Sequence, residues 1–133
     1  MKPDELRDAV SLAARIGHVT VATASASGVP HIATAAKLDH AGADSVALTE
    51  WFCPGTLANL DQNANVSIAV WDPAVDTGYQ LQGRLEGVQD VMGLDHYAPD
   101  VERKPVPQFD IRLVVRVDRI LDFTLRPHTD IEL

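Results

Sequence analysis

The sequence is poor in cysteine, in aromatic residues and in basic charge. Cys53 is the one cysteine among 133 residues, so no disulfide can form within the chain. Aromatic residues make up 5%, and the core must therefore be built from aliphatic side chains. Lysine and arginine number 11 against 19 aspartates and glutamates, which gives a formal net charge of −8. This balance argues against a general nucleic-acid-binding protein, which needs clustered basic side chains.

Long apolar runs and metal-ligand motifs are missing as well. No apolar run approaches the ~20 residues that span a membrane. The charged residues 1–5 contain no signal-peptide core. None of the five histidines pairs with another at metal-ligand spacing, so we expect no metal site. With a single cysteine, these features lead us to expect a cytoplasmic protein whose partners include neither nucleic acid nor membrane.

What is present predicts one compact domain over residues 1–133. Hydrophobic residues make up 46%, which is ample for a core. Pro3 suits the first turn of an opening helix, and Gly17 suits its end. The apolar residues between them recur at the spacing of one helix face, at Leu6, Ala9, Val10 and Ala13.

Alternating apolar patterns in the rest of the chain predict six strands. The predicted strands cover residues 18–24, 31–38, 45–49, 66–71, 79–88 and 111–123. Residues 56–63 are predicted to form a short helix, whereas 90–108, with three prolines, should be irregular apart from a helical turn. Short turns favour antiparallel pairing, and closure removes unpaired sheet edges. We therefore predict a mainly β fold, a six-stranded antiparallel barrel with peripheral helices.

The junction between the third strand and the short helix is the most informative stretch. Pro54 and Gly55 break the chain, and Thr56 follows as the predicted start and cap of the helix. A hydroxyl beside the free N–H groups of a helix start can bind a phosphate. Cys53 has no partner thiol, and no activating base is apparent near it in sequence, so we do not expect a redox-active thiol.

Four short motifs carry a family resemblance. They are Val21-Ala22-Thr23-Ala24, Ser27-Gly28-Val29-Pro30-His31-Ile32, Thr56-Leu57-Ala58-Asn59-Leu60 and Thr77-Gly78-Tyr79-Gln80-Leu81-Gln82-Gly83. In this order, over residues 15–88, they resemble the flavin-binding split β-barrel family, also called the pyridoxamine-phosphate-oxidase-like proteins. The resemblance implies a homodimer that holds FMN at the subunit interface.

The same resemblance implies a set of cofactor-binding residues. They are Thr34, Ala35, Ala36, Lys37, Thr49, Glu50, Trp51, Phe52, Thr56, Leu57, Tyr79 and Gln80, the last two acting from the other subunit. Many relatives carry a lysine or arginine immediately before the helix threonine, where this chain has Gly55. Lys37 would supply the missing charge if it shares a strand face with Ala35, as strand alternation predicts.

The resemblance implies redox chemistry without a recognisable catalytic side chain, because the flavin itself carries hydride or electrons. We therefore expect an FMN-dependent oxidoreductase or electron carrier. Pyridoxamine-phosphate oxidase activity is not expected, since the C-terminal part lacks clear basic residues for a substrate phosphate. Three alternatives stay open: a deazaflavin-binding barrel, which the net charge of −8 disfavours, a haem-binding barrel with His96 as candidate ligand, and a non-enzymatic flavin store or sensor.

Overall fold

The computed structural model describes residues 2–50, 53–90, 111–127 and 130–133. Within these ranges the chain forms two helices and seven strands. In chain order they are α1 (Pro3–Ile16), β1 (Val19–Ala24), β2 (Pro30–Ala35), β3 (Lys37–His40), β4 (Ser45–Thr49), α2 (Pro54–Gln62), β5 (Asn65–Asp72), β6 (Thr77–Asp90) and β7 (Ile111–Asp122). The predicted mainly β, antiparallel architecture with peripheral helices is confirmed.

The prediction of six strands was wrong by one, because the second predicted strand is broken at Ala36. The segment before this residue, β2, pairs with β1, whereas β3 after it pairs with β4. At the break the Ala36 N–H donates to the Glu50 carbonyl, with an N–O distance of 3.0 Å. The chain leaves one partner strand for another at this point, so a single ladder cannot continue through it.

The strand order explains why the sheet curls into a barrel. Its order is β2-β1-β5-β6-β7-β4-β3, and all neighbouring strands are antiparallel. The two edge strands, β2 and β3, follow each other in the chain with only Ala36 between them. The two edges must therefore meet. No ladder joins these two strands in the described part of the chain, which leaves a seam there.

The barrel interior is aliphatic, as the scarcity of aromatic residues requires. Along β7, Leu113, Val115 and Val117 are buried on one face, as predicted. Helix α1 packs beside β3, β5 and β6, and α2 packs beside β1 and β2, next to the seam. Helix α1 ends as predicted at Gly17, whose φ of 91° is left-handed and whose N–H donates to the Ala13 carbonyl at 2.8 Å.

Strand β6 contains the close backbone contact that its glycine predicted. The register of β6 against β7 shifts between Gln82 and Gly83. A Cβ atom on Gly83 would collide with the carbonyl oxygen of Arg116 on the neighbouring strand. A glycine is therefore required at this position. No helix in the described ranges has both the length and the apolar character needed to cross a membrane.

Candidate functional site

Helix α2 begins two residues before its predicted start. Cys53, with extended backbone angles, occupies the cap position, and Pro54 is the first helical residue. Proline suits this position because its φ is fixed near the helical value and a first-turn N–H has no intrahelical partner. Thr56 is therefore the third residue of the helix, and the prediction that it caps the helix was wrong. Its own N–H bonds to the Cys53 carbonyl at 3.2 Å.

The Thr56 hydroxyl is buried without a hydrogen-bond partner. The residue is 1% exposed, and its Oγ1 atom is one of two buried side-chain polar atoms in the described chain that lack a partner. A buried polar group left in this state costs about 1–3 kcal/mol. The gap that Thr56 lines is too narrow to hold a water molecule. The hydroxyl can therefore reach a ligand only if neighbouring side chains shift.

The gap at Thr56 lies between α2 and the barrel interior. Its other lining residues come from β1, β2, β4 and β7 and are Val21, Ala33, Thr34, Leu48 and Leu113. Lys37 and Thr49 are paired across β3 and β4, and Ala36 bonds to Glu50. We call the region formed by residues 33–37, 48–50 and 53–57 the seam site. It brings together most of the positions that the resemblance assigned to the cofactor, namely Thr34, Ala35, Ala36, Lys37, Thr49, Glu50, Thr56 and Leu57.

Ala35 and Lys37 do not share a face, although strand alternation predicted that they would. Ala35 is buried in the core, whereas the Lys37 side chain is exposed and its Nζ lies 4.0 Å from the Asp39 carboxylate. The break at Ala36 separates them and resets the alternation. The face argument for Lys37 was therefore wrong, and a contact between Lys37 and a cofactor stays a prediction. The implied ligands Trp51 and Phe52 lie outside the described residues.

Tyr79 and Gln80 lie on opposite faces of β6. Tyr79 packs against the core, where burial, followed by the nearby carboxylates of Asp8 and Glu5 on α1, raises the pKa of its phenol. Gln80 faces the other way, and its Nε2 donates to the Ser67 hydroxyl at 2.7 Å. Of these two residues, therefore, only Gln80 has its side chain on the outer face of β6. A role for either residue in a second subunit stays a prediction.

His31 lies against the seam site, and the sequence indicated only that it belongs to the first hairpin. Its Nε2 lies 3.5 Å from the Cys53 sulfur. A Cβ atom built on Gly55 would stand 2.7 Å from the same nitrogen. The other ring nitrogen, Nδ1, is buried without a partner. No local pattern places residue 31 beside residue 53, because the contact depends on how α2 packs on β2.

Solved structures match nearly the whole chain. An FMN-binding protein from Syntrophomonas wolfei is 19% identical at a TM-score of 0.69, over 92% of this chain and 89% of that one. A Clostridium acetobutylicum protein of the pyridoxinephosphate oxidase family, related to general stress protein 26 of B. subtilis, is 16% identical at 0.68, over 100% and 96%. An F420 reductase is 22% identical at a TM-score of 0.61, over 83% of this chain and 93% of that one. No protein-family model and no curated protein sequence matches.

The chain has the fold of the pyridoxamine-phosphate-oxidase-like split barrels. The resemblance read from the sequence motifs is thereby confirmed for the fold. In this split barrel, the described residues contain no group of three histidine, cysteine, aspartate or glutamate side chains placed to hold a metal ion. Of the two buried side-chain polar atoms without partners in these ranges, Thr56 Oγ1 lies in the first turn of α2 and His31 Nδ1 belongs to β2.

Proposed function

We propose that this split barrel binds FMN, with the cofactor phosphate at the start of α2. The Thr56 hydroxyl carries the proposal. It is buried without a partner, and it belongs to the first turn of α2. A phosphate oxygen would satisfy the hydroxyl and offset the cost of leaving it unpaired. The positive end of the helix dipole favours the same anion, although Pro54 has no N–H and the Thr56 N–H is already bonded to the Cys53 carbonyl.

Besides Thr56, the start of α2 has few groups of its own to hold a phosphate. Gly55 has no side chain, the space beside it is occupied by the imidazole of His31, and Pro54 has no N–H. Thr34 borders the same gap, but it is exposed and alternates along β2 with the buried Ala33 and Ala35, so its side chain lies on the opposite face of the strand. Binding requires this gap to widen, since it does not hold even a water molecule.

We propose further that the protein is a homodimer with the cofactor at the interface. Part of the outer face of β1, β5 and β6 is uncharged and half-buried within one chain. This patch consists of Thr20, Ala22, Ser67, Ala69 and Gln80, side by side on paired strands. Depletion of charge is typical of the core of a protein interface. A second copy covering this face would bring its Gln80 toward the flavin.

A bound flavin would supply hydride or electron transfer, and the chain would bind and orient it. The protein would then be an oxidoreductase or an electron carrier. Its single, half-buried free thiol is in keeping with a reducing cytoplasm.

A deazaflavin is the second candidate, because an F420 reductase shares the fold. The long anionic tail of such a cofactor needs basic side chains, which a chain of net charge −8 supplies poorly. The haem alternative depended on His96, which lies outside the described residues. A non-enzymatic flavin store would use the same site without turnover.

The absorbance spectrum of the purified protein, before and after incubation with FMN, tests the proposal. We expect the two visible bands of oxidised flavin, retained through gel filtration, and FMN in the supernatant after heat denaturation. A Soret band would support haem, and a deazaflavin mass in the supernatant would support the second candidate. A protein that stays colourless after incubation with FMN contradicts the proposal.

A further inference from the structure

We propose that His31 supplies the positive charge that meets the cofactor phosphate, in place of the basic side chain that Gly55 lacks. The inference rests on the proposed function and names a residue that neither the sequence motifs nor the resemblance assigned to the site. It also predicts that FMN affinity depends on pH through this imidazole.

The position of the His31 imidazole indicates that it can take the place of a basic side chain at position 55. A Cβ on Gly55 would lie 2.7 Å from His31 Nε2, 3.1 Å from Cδ2 and 3.3 Å from Cε1. The imidazole therefore stands where a side chain at position 55 would begin. It reaches this point from β2, where His31 pairs with Thr23 of β1, and α2 packs on both strands. A larger residue at position 55 and the present position of His31 exclude each other.

The hydrogen bonding of the ring favours an anion beside it. Nε2 contacts the Cys53 sulfur, whereas Nδ1 is buried and has no partner. A neutral imidazole has one donor and one acceptor nitrogen, and a protonated one has two donors. A buried charged donor without an acceptor is costly. An anion that accepts a hydrogen bond from the ring would remove that cost, so phosphate binding and ring protonation should favour each other.

Among the described residues, no group around His31 supplies a negative counter-charge. The ionisable side chain in contact with it is the Cys53 thiol, on the N-terminal side of α2. Thr23 is its partner on β1, and Asp61 of α2 is exposed near the far end of the helix. No carboxylate in the described ranges forms an ion pair with the ring.

Flavin fluorescence titrations with FMN and with riboflavin, which lacks the phosphate, test the inference. They run from about pH 8 to about pH 6.5, above the second phosphate pKa near 6. For the parent protein we expect the FMN Kd to fall by about threefold to tenfold as pH falls, since up to one proton is taken up per phosphate bound. Riboflavin affinity should stay flat.

Three variants separate charge, position and fold. H31N should bind FMN more weakly than the parent at low pH, without the pH dependence. H31K should keep the preference for FMN over riboflavin and lose the pH dependence, because its charge is permanent across this range. G55A keeps the histidine but adds the Cβ that would displace the ring, so it should resemble H31N. Thermal unfolding of each variant identifies any loss that comes from misfolding.

An FMN affinity in H31N with the magnitude and pH dependence of the parent would overturn the inference. That result is distinguishable from failure of the proposed function. If the parent binds FMN no better than riboflavin at every pH, the phosphate site itself is absent. If the parent prefers FMN while H31K, H31N and G55A all bind like it, the site exists and His31 is not part of it.

Discussion

Replacing Thr56 by valine should stabilise the protein without cofactor while weakening FMN binding. Valine has nearly the same shape as threonine and removes only the hydroxyl, which is 1% exposed and has no partner. A capping threonine would behave in the opposite way, with a loss of about 1 kcal/mol on substitution. The sign of the change in unfolding free energy therefore separates the two roles.

The magnitude follows from the cost of an unpaired buried hydroxyl, about 1–3 kcal/mol. Part of this is offset by imperfect packing of the new methyl group, so we expect a gain of about 1 kcal/mol in T56V. In a domain of this length, this corresponds to a rise of about 3–5 °C in Tm. Loss of a charge-assisted hydrogen bond to phosphate should weaken FMN by about 1.5–3 kcal/mol, or roughly 10- to 150-fold, and leave riboflavin unchanged.

A second buried threonine provides the matched control. Thr23 is 5% exposed, and its hydroxyl accepts a hydrogen bond from Asn59 Nδ2 at 3.1 Å. The same substitution there leaves the amide donor unpaired, so T23V should lose about 1 kcal/mol. Urea unfolding of both variants without cofactor measures the difference. Equal destabilisation of T56V and T23V would refute the reasoning, because Thr56 would then have a partner of its own.

Three further predictions concern the scaffold. In urea unfolding, G83A should lower the free energy of unfolding by more than about 3 kcal/mol, because the new Cβ would collide with the Arg116 carbonyl. G87A is the control: a Cβ there would meet open space, so the free energy of unfolding should change by less than about 0.5 kcal/mol. The hydrogen bond from the Leu125 N–H is the main cause that lowers the pKa of Asp76 in the folded protein. The free energy of unfolding should therefore fall as the pH drops below 3.8, and in acid titrations D76N should lack this contribution. A69R should give a monomer in light scattering if the parent is a dimer.

Sequence patterns predicted the elements that local chemistry determines. Strand β4, the third strand of the prediction, matches its predicted limits, residues 45–49, because an alternating apolar run lies between polar turns. Helix α1 ends where Gly17 allows a left-handed cap. Pro54 was interpreted as a chain break, although proline at a first helical position is a known start signal. The predicted helix therefore began two residues too late, at Thr56 and not at Pro54.

The features that the sequence did not reveal are nonlocal. Ala36 is neither glycine nor proline, and nothing in its neighbourhood indicates that the chain changes partner strands there. The alternation argument for Lys37 failed for this reason. The contact of His31 with Cys53 joins residues 22 positions apart and depends on how a helix packs on a strand. Candidate residues could be found from motifs, whereas their faces and contacts required the fold.

Isothermal titration of FMN and riboflavin into the purified, cofactor-free protein tests the phosphate site most directly. A site built from the Thr56 hydroxyl and the start of α2 should bind FMN at least about tenfold more tightly than riboflavin, since one charge-assisted hydrogen bond is worth that much. T56V should reduce this preference. Equal affinities for the two flavins, or no binding of either, would contradict an FMN phosphate at the start of α2.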